Sequence, residues 1–294
     1  MPERPDLRIA TPPAWEPGKR EEYAYYRKPA SPETREQADR ELVESVRRYW
    51  DQYLRNPQGG LALLGAKLGK AFIRSCQVQG EVANSEPQAP QKALEAIKRS
   101  LNLGHVDLVG ELTNGFLAEY ALAQGLVSQR AYEVYLPNDR LGDTYEEGKG
   151  VDLWVNLANG VDDREPEDGY IGMPVQVKCA TLRKDFSHLV YPLTSERDLR
   201  YLVEEVFTPL NVYGNYDFEK AQASFRNLYE YGKSFRDAIP AVALFNTPGQ
   251  DADRDMPHIS KVTGKLHPEL LTKVLGDIEG IKGEYLDRSL QRAA

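Results

Sequence analysis

Hydrophobic and polar positions fall into two regimes along this chain. Residues 1 to about 31 mix Pro, Arg, Glu and Tyr without a clear period and read as an extended arm. Ser31 followed by Pro32 is a helix start, with a capping hydroxyl and a proline in the first helical position. A helix from there to about Arg55 places Leu42, Val46 and Tyr49 on one face. Residues 61–73 and 90–101 suggest two more helices.

After Gly104 the pattern changes. Leu108, Leu112, Phe116 and Ala123 form a helical stripe over 106–123, and Gly125 offers a stop. Three strand candidates follow at 132–136, 150–157 and 172–180, separated by polar loops that contain Pro, Asn and Gly. Helical stretches at 195–206 and 217–234, a strand at 241–245 and a closing helix at 268–276 complete the pattern. This order predicts an α/β fold, a central mixed β-sheet flanked by helices with a helical N-terminal extension. The expected organisation is an arm and helical subdomain over 1–104, a core over 105–250 and a C-terminal helical extension over 251–294.

Composition narrows the function classes only a little. At 294 residues, 41% hydrophobic and 28% charged, the chain can bury a sizeable core. No apolar run reaches the roughly 20 residues that span a bilayer, so no membrane partner is expected. The polar, proline-rich start does not read as a secretory signal, and none is expected. Cys76 and Cys179 are too few for a disulfide framework, and a reducing cytoplasm fits them. A net charge of −8 speaks against a non-specific nucleic-acid coat, but an enzyme can gather acids at a site and bases along a groove.

The candidate chemistry lies on the strands. Asp152 interrupts the apolar run Val151-Asp152-Leu153-Trp154-Val155, and strand alternation predicts Val151 and Leu153 on the face opposite it. Aspartate is poorly suited to a strand and costly to bury alone, so a cation, hydrogen bonds or solvent must compensate it. In the next strand Gln176 and Lys178 share one face, with Val175 and Val177 on the other. A carboxylate, an amide oxygen and an ammonium on neighbouring strands suit metal-assisted hydrolysis: oxygen ligands for a hard cation and a lysine beside the attacking water. Glu119 falls on the apolar face of the preceding helix, with Glu111 a weaker companion. The plain alternative is a cross-strand salt bridge between Asp152 and Lys178.

With Glu119 on a helix, Asp152 in Gly-Val-Asp and Gln176-Val177-Lys178 on the following strand, the chain resembles the restriction-endonuclease-like superfamily, the PD-(D/E)xK nucleases. The resemblance covers roughly residues 106–247, in the family's order of helix, three strands, helix and strand. It implies that Asp152 bridges the metal and that Gln176, with the main-chain carbonyl of Val177, completes the ligand set. It further implies that Lys178 activates water and that Glu119 is a further ligand or orients one. The implied cofactor is Mg²⁺, with Mn²⁺ able to substitute, and the implied partner is double-stranded DNA, cut by a homodimer with one site per strand. A type II-like restriction endonuclease is the simplest such enzyme. Recombination, transposition and defence nucleases share the site, and a non-catalytic DNA-binding or assembly protein could carry a degenerate one. Val151 replaces the usual proline, and Gln176 replaces the second acid, as in modification-dependent restriction enzymes and transposon end-cleaving endonucleases. A neutral ligand draws a dication less strongly than a carboxylate.

Other features read as structural. His105, His188, His258 and His267 have no metal-ligand spacing. Cys179 alternates away from Lys178 and reads as a packed core residue. The tyrosines at 213–216 and 229–231 suit packing better than base stacking. Thr181, Arg183 and Lys184 follow the Gln176 strand closely enough to meet a scissile phosphate.

Overall fold

The computed structural model describes residues 32–55, 68–69, 71–72, 75–76, 89–100, 106–129, 132–135, 150–157, 171–180, 187–207, 218–235, 238–246, 258–260 and 263–293. Ser31, Pro137-Asn138, Thr181, Arg183, Lys184, His105 and the tyrosines at 213–216 fall outside these residues. The chain divides into two compact units, one within Gln129–Asn246 and Pro268–Ala294, the other within Tyr25–Ser128 and Thr247–His267. Among the described residues no helix is long and apolar enough to cross a membrane.

The second unit is helical. Helix α1 (Pro32–Arg55) buries Ala38, Leu42, Val46 and Trp50, residues one turn apart. Tyr49, expected on that face, is only half-buried, because the stripe drifts to Trp50. Helix α2 (Ala89–Ser100) buries Ala93 and Ile97. Between them, helical residues Leu68, Phe72, Ser75 and Cys76 are fully buried, and the Ser75 hydroxyl donates to Asp39 at 3.1 Å. Helix α3 (Val106–Val127) does not stop at Gly125 as its sequence suggests. A glycine inside a helix costs only about 1 kcal/mol, and burial of Leu126 and Val127 holds the last turn in place. Phe116 and Tyr120 of α3 pack their rings on Phe72.

The first unit is a five-stranded mixed sheet flanked by helices. Strands β1 (Tyr132–Tyr135), β2 (Leu153–Leu157) and β3 (Ile171–Ala180) form an antiparallel meander. A short strand β4 (Val190–Pro192) follows, then helix α4 (Glu196–Tyr201), which continues into a π turn over Leu202–Phe207. Helix α5 (Phe218–Gly232) leads to β5 (Ala241–Asn246), which runs parallel to β3 and antiparallel to β4. The strand order is β1-β2-β3-β5-β4. The sequence pattern anticipates every strand but β4, which lies inside a stretch with no alternating run long enough to read.

One sheet face carries Tyr135, Trp154, Val242 and Leu244 under a core that α4, the π turn and α5 complete with Leu199, Leu202, Phe207, Phe225 and Leu228. The start of α4 is capped twice: Ser195 Oγ accepts the Asp198 N–H at 3.2 Å, and the Asp198 carboxylate accepts the Thr194 N–H and hydroxyl at 3.0 and 2.7 Å.

The last helix, α6 (Pro268–Ala293), runs far beyond the expected end at 276. A Cβ at Gly276, Gly280 or Gly283 would meet nothing within 4 Å, so these glycines are helical positions facing open space and not breaks. Val274, Ile278 and Ile281 are buried along one side of the helix. Asp277 on α6 accepts the N–H groups of Leu189 and Val190 at 2.6 and 3.1 Å and pairs with His188 Nδ1 at 2.9 Å. Two residues further, Glu279 accepts the Tyr132 hydroxyl at 2.5 Å. One helix thus grips both edge strands of the sheet, β4 and β1.

Candidate active site

Asp152 does not lie inside β2, where alternation had placed it. It occupies a bend immediately before the strand. Leu153 pairs with Val175, and the Asp152 N–H also donates to the Val175 carbonyl, at 2.9 Å. Two consecutive residues therefore oppose one, which is a β-bulge. The bulge breaks the alternation: Val151 joins Trp154 in the core beneath the helices and does not share a face with Leu153. Gly150, just upstream, takes a φ of 80°, a left-handed conformation that glycine adopts without strain and that turns the chain into the bulge.

The bulge ends the backbone pairing of β2 early, and the Asp152 carboxylate replaces it. Oδ2 accepts the N–H of Val177 at 2.7 Å. That amide belongs to the peptide joining Gln176 to Val177, so the carboxylate lies against the very segment singled out by sequence. In an extended strand the N–H and C=O of one residue point to the same edge. The Val177 carbonyl therefore turns to the edge where Asp152 stands.

Gln176 is 2% exposed and, with Asn156, one of two buried polar residues among the described residues of the unit. It pairs with Val242 of β5 and so faces the core under α5. Its Nε2 donates a short hydrogen bond to Ser224 Oγ on α5. Its Oε1 is buried without a hydrogen-bond partner. A buried amide oxygen left in this way costs roughly 1–3 kcal/mol unless something fills its lone pairs. Lys178 lies two residues along the same face, half-buried, and opposes Leu244. None of the ion pairs among the described residues joins it to Asp152, so the cross-strand salt bridge is not formed.

The structure thus sets the Asp152 carboxylate on the Val177 amide, with Gln176 and Lys178 on either side of Val177 along β3. Glu119 belongs to the other unit, half-buried on α3 with Oε2 3.5 Å from where a Gly69 Cβ would stand. The side chain of Glu111 lies outside the described residues. Among the described residues no three His, Cys, Asp or Glu side chains cluster as a metal site. The oxygens that could take a hard cation here are instead one carboxylate, the Gln176 amide oxygen and the Val177 carbonyl. An orphaned buried Oε1 fits that role, because a cation would satisfy it.

Ser224 was not visible as a site residue. It lies on the core-facing side of α5 between Ala221, Phe225 and Leu228, at a spacing that reads simply as part of an apolar stripe. Its contact with Gln176 spans 48 residues and depends on how α5 docks. Cys179 is half-buried, and desolvation pushes its thiol up to about 12, which disfavours the thiolate a nucleophile needs. His188 is held by Asp277, and His258 and His267 meet through a backbone hydrogen bond of 3.1 Å. No family model, no curated protein sequence and no solved structure matches the chain.

Proposed function

We propose that the protein is a Mg²⁺-dependent endodeoxyribonuclease that hydrolyses phosphodiester bonds of double-stranded DNA. In its simplest form it is a type II-like restriction enzyme acting as a cytoplasmic homodimer. The observation that carries this reading is the Asp152 carboxylate on the Val177 N–H, beside a buried Gln176 whose Oε1 has no partner. Support also comes from the strand order, in which an antiparallel meander is followed by helices and a strand parallel to β3.

Asp152, Gln176 Oε1 and the Val177 carbonyl would hold the metal, which when bound supplies positive charge to acidify water and neutralise phosphate. The chain's own contribution is positional. The bulge fixes the Asp152 carboxylate by a hydrogen bond that Oδ2 accepts from the amide of a central strand. Lys178 provides a cation two residues from Gln176 on the same face, suited to hold the attacking water and to offset charge building on the phosphoryl oxygens.

The test is incubation of mixed plasmid and phage DNA with Mg²⁺ and sequencing of the fragment ends. Discrete ends are expected, and cleavage is expected to vanish in Asp152→Ala and Lys178→Ala proteins that remain folded. Full activity in both variants refutes the proposal.

A second reading is favoured by one observation. Gln176 is almost wholly buried and its amide is already tied to Ser224, as suits a degenerate site in a non-catalytic DNA-binding or assembly protein. Calorimetric titration with Mn²⁺, with and without a DNA duplex, separates the two. Absence of binding in both conditions supports the second reading.

A further inference from the structure

We infer that Ser224 is a positioning residue for the metal site. By accepting a hydrogen bond from the Gln176 amide nitrogen, it turns the amide so that its oxygen, and not its NH₂ group, is left to a cation. The inference rests on the metal-dependent reading above and concerns how a neutral residue can serve where an acid would be expected.

The physical problem is specific to glutamine. A carboxylate presents an oxygen whichever way it rotates, whereas an amide has one oxygen and one NH₂ group of nearly the same shape. Turned the wrong way, it offers a cation two hydrogens. A glutamine ligand therefore needs a partner that distinguishes its two ends.

Ser224 is that partner. Ser224 Oγ takes the hydrogen bond from Nε2. Gly150 closes over the same end, since a Cβ built on it would stand 2.7 Å from Gln176 Nε2, 3.0 Å from Ser224 Oγ and 3.1 Å from the Ser224 carbonyl oxygen. The Ser224 carbonyl oxygen, an acceptor of the α5 backbone, borders the same point. An NH₂ group suits a space bordered by two oxygen atoms, whereas an amide oxygen turned into it would be drawn there only by the Ser224 hydroxyl proton. The arrangement leaves Oε1 as the buried end with no partner. Because Gly150 begins the turn that delivers Asp152, the segment that fixes the carboxylate also closes over the amide.

The experiment is titration of the full chain with Mn²⁺ alone, in four proteins: wild type, Ser224→Ala, Gln176→Glu and the double variant. Loss of one orienting hydrogen bond should weaken Mn²⁺ binding about tenfold in Ser224→Ala. Ser224→Thr, which keeps the hydroxyl, should restore it. In the Gln176→Glu background, removing the Ser224 hydroxyl should leave affinity within about twofold, because a carboxylate has no wrong end. Circular dichroism and thermal melting establish that each protein is folded. Wild-type binding that Ser224→Ala leaves unchanged overturns the inference while the metal site stands. An equal loss in both backgrounds also overturns it, since it assigns Ser224 a role in packing alone. Absence of Mn²⁺ binding in wild type and in Gln176→Glu overturns the metal reading itself, and the inference with it.

Discussion

The Asp152 carboxylate stands 2.7 Å from the backbone nitrogen of Val177, in the place where the next backbone partner of β3 would lie had β2 continued. The residue thereby has two separable duties, one to the sheet and one to the site. Asp152→Ala removes both. It leaves the N–H of Val177, a residue only 7% exposed, without that acceptor, at a cost of about 1–3 kcal/mol. Asp152→Asn keeps an acceptor oxygen for the amide but loses the charge. Thermal melts should show Asp152→Asn close to wild type and Asp152→Ala several degrees lower, with DNA cleavage and Mn²⁺ binding lost in both.

Lys178 should separate binding from turnover. It carries positive charge beside a proposed cation site, so Lys178→Ala is expected to bind Mn²⁺ at least as tightly as wild type. Cleavage should fall by about 100-fold or more, the order of a lost electrostatic stabiliser. Calorimetry and a plasmid cleavage assay on the same preparation check both halves.

Gln176→Glu makes the opposite trade. A carboxylate at this 2%-exposed position attracts a dication more strongly but must be desolvated when the metal is absent. The variant should bind Mn²⁺ about tenfold tighter and melt at lower temperature than wild type without metal. Added Mn²⁺ should more than recover the difference, because a ligand that binds only the folded state stabilises it. Melting curves with and without Mn²⁺ decide the matter.

The two thiols should be silent in the folded protein. Burial pushes Cys179 up to about 12 and raises Cys76 well above its ordinary value, with Asp39 adding to the latter. Both folded values exceed the unfolded ones, so the associated stability is intact below about pH 9 and is lost as pH rises from there toward 12. A thiol reagent at pH 8 should label neither cysteine until denaturant is added, and cleavage activity should survive the reagent. Rapid labelling of Cys179 in the native protein would contradict its raised thiol value.

Much of this architecture was legible in the residues because it is locally encoded. Strands β1, β2, β3 and β5 announce themselves by apolar runs bounded by turn residues, and α1, α2, α3 and α5 by helical spacing. What escaped reading is what tertiary contact decides. Strand β4 is three residues ending in proline, held by pairing with β5 and by Asp277, a residue 87 positions further on. Gly276 resembles a helix stop, yet α6 continues because the apolar side of the helix is anchored and the glycine side faces open space. In the site, Gln176 and Lys178 follow from simple alternation. The displacement of Asp152 into a bulge does not, since a bulge leaves no trace in the apolar pattern beyond the Gly150 that permits it. Ser224 lay furthest from view, as its role depends on the docking of a helix.

The grip of α6 on both edge strands bears on how the chain assembles during synthesis. Leu189 and Val190 leave the ribosome long before Asp277, and Tyr132 long before Glu279, whose contacts span 88, 87 and 147 residues. Until α6 arrives, these bonds to both sheet margins are unmade, and the N–H groups of Leu189 and Val190 are open to strands of other chains. Closing such long loops is slow, so the nascent sheet passes through an interval of stickiness before α6 docks. A chaperone that shields edges, or a slow-translated stretch placed before α6, would change the yield of folded protein without altering a single contact in its final form.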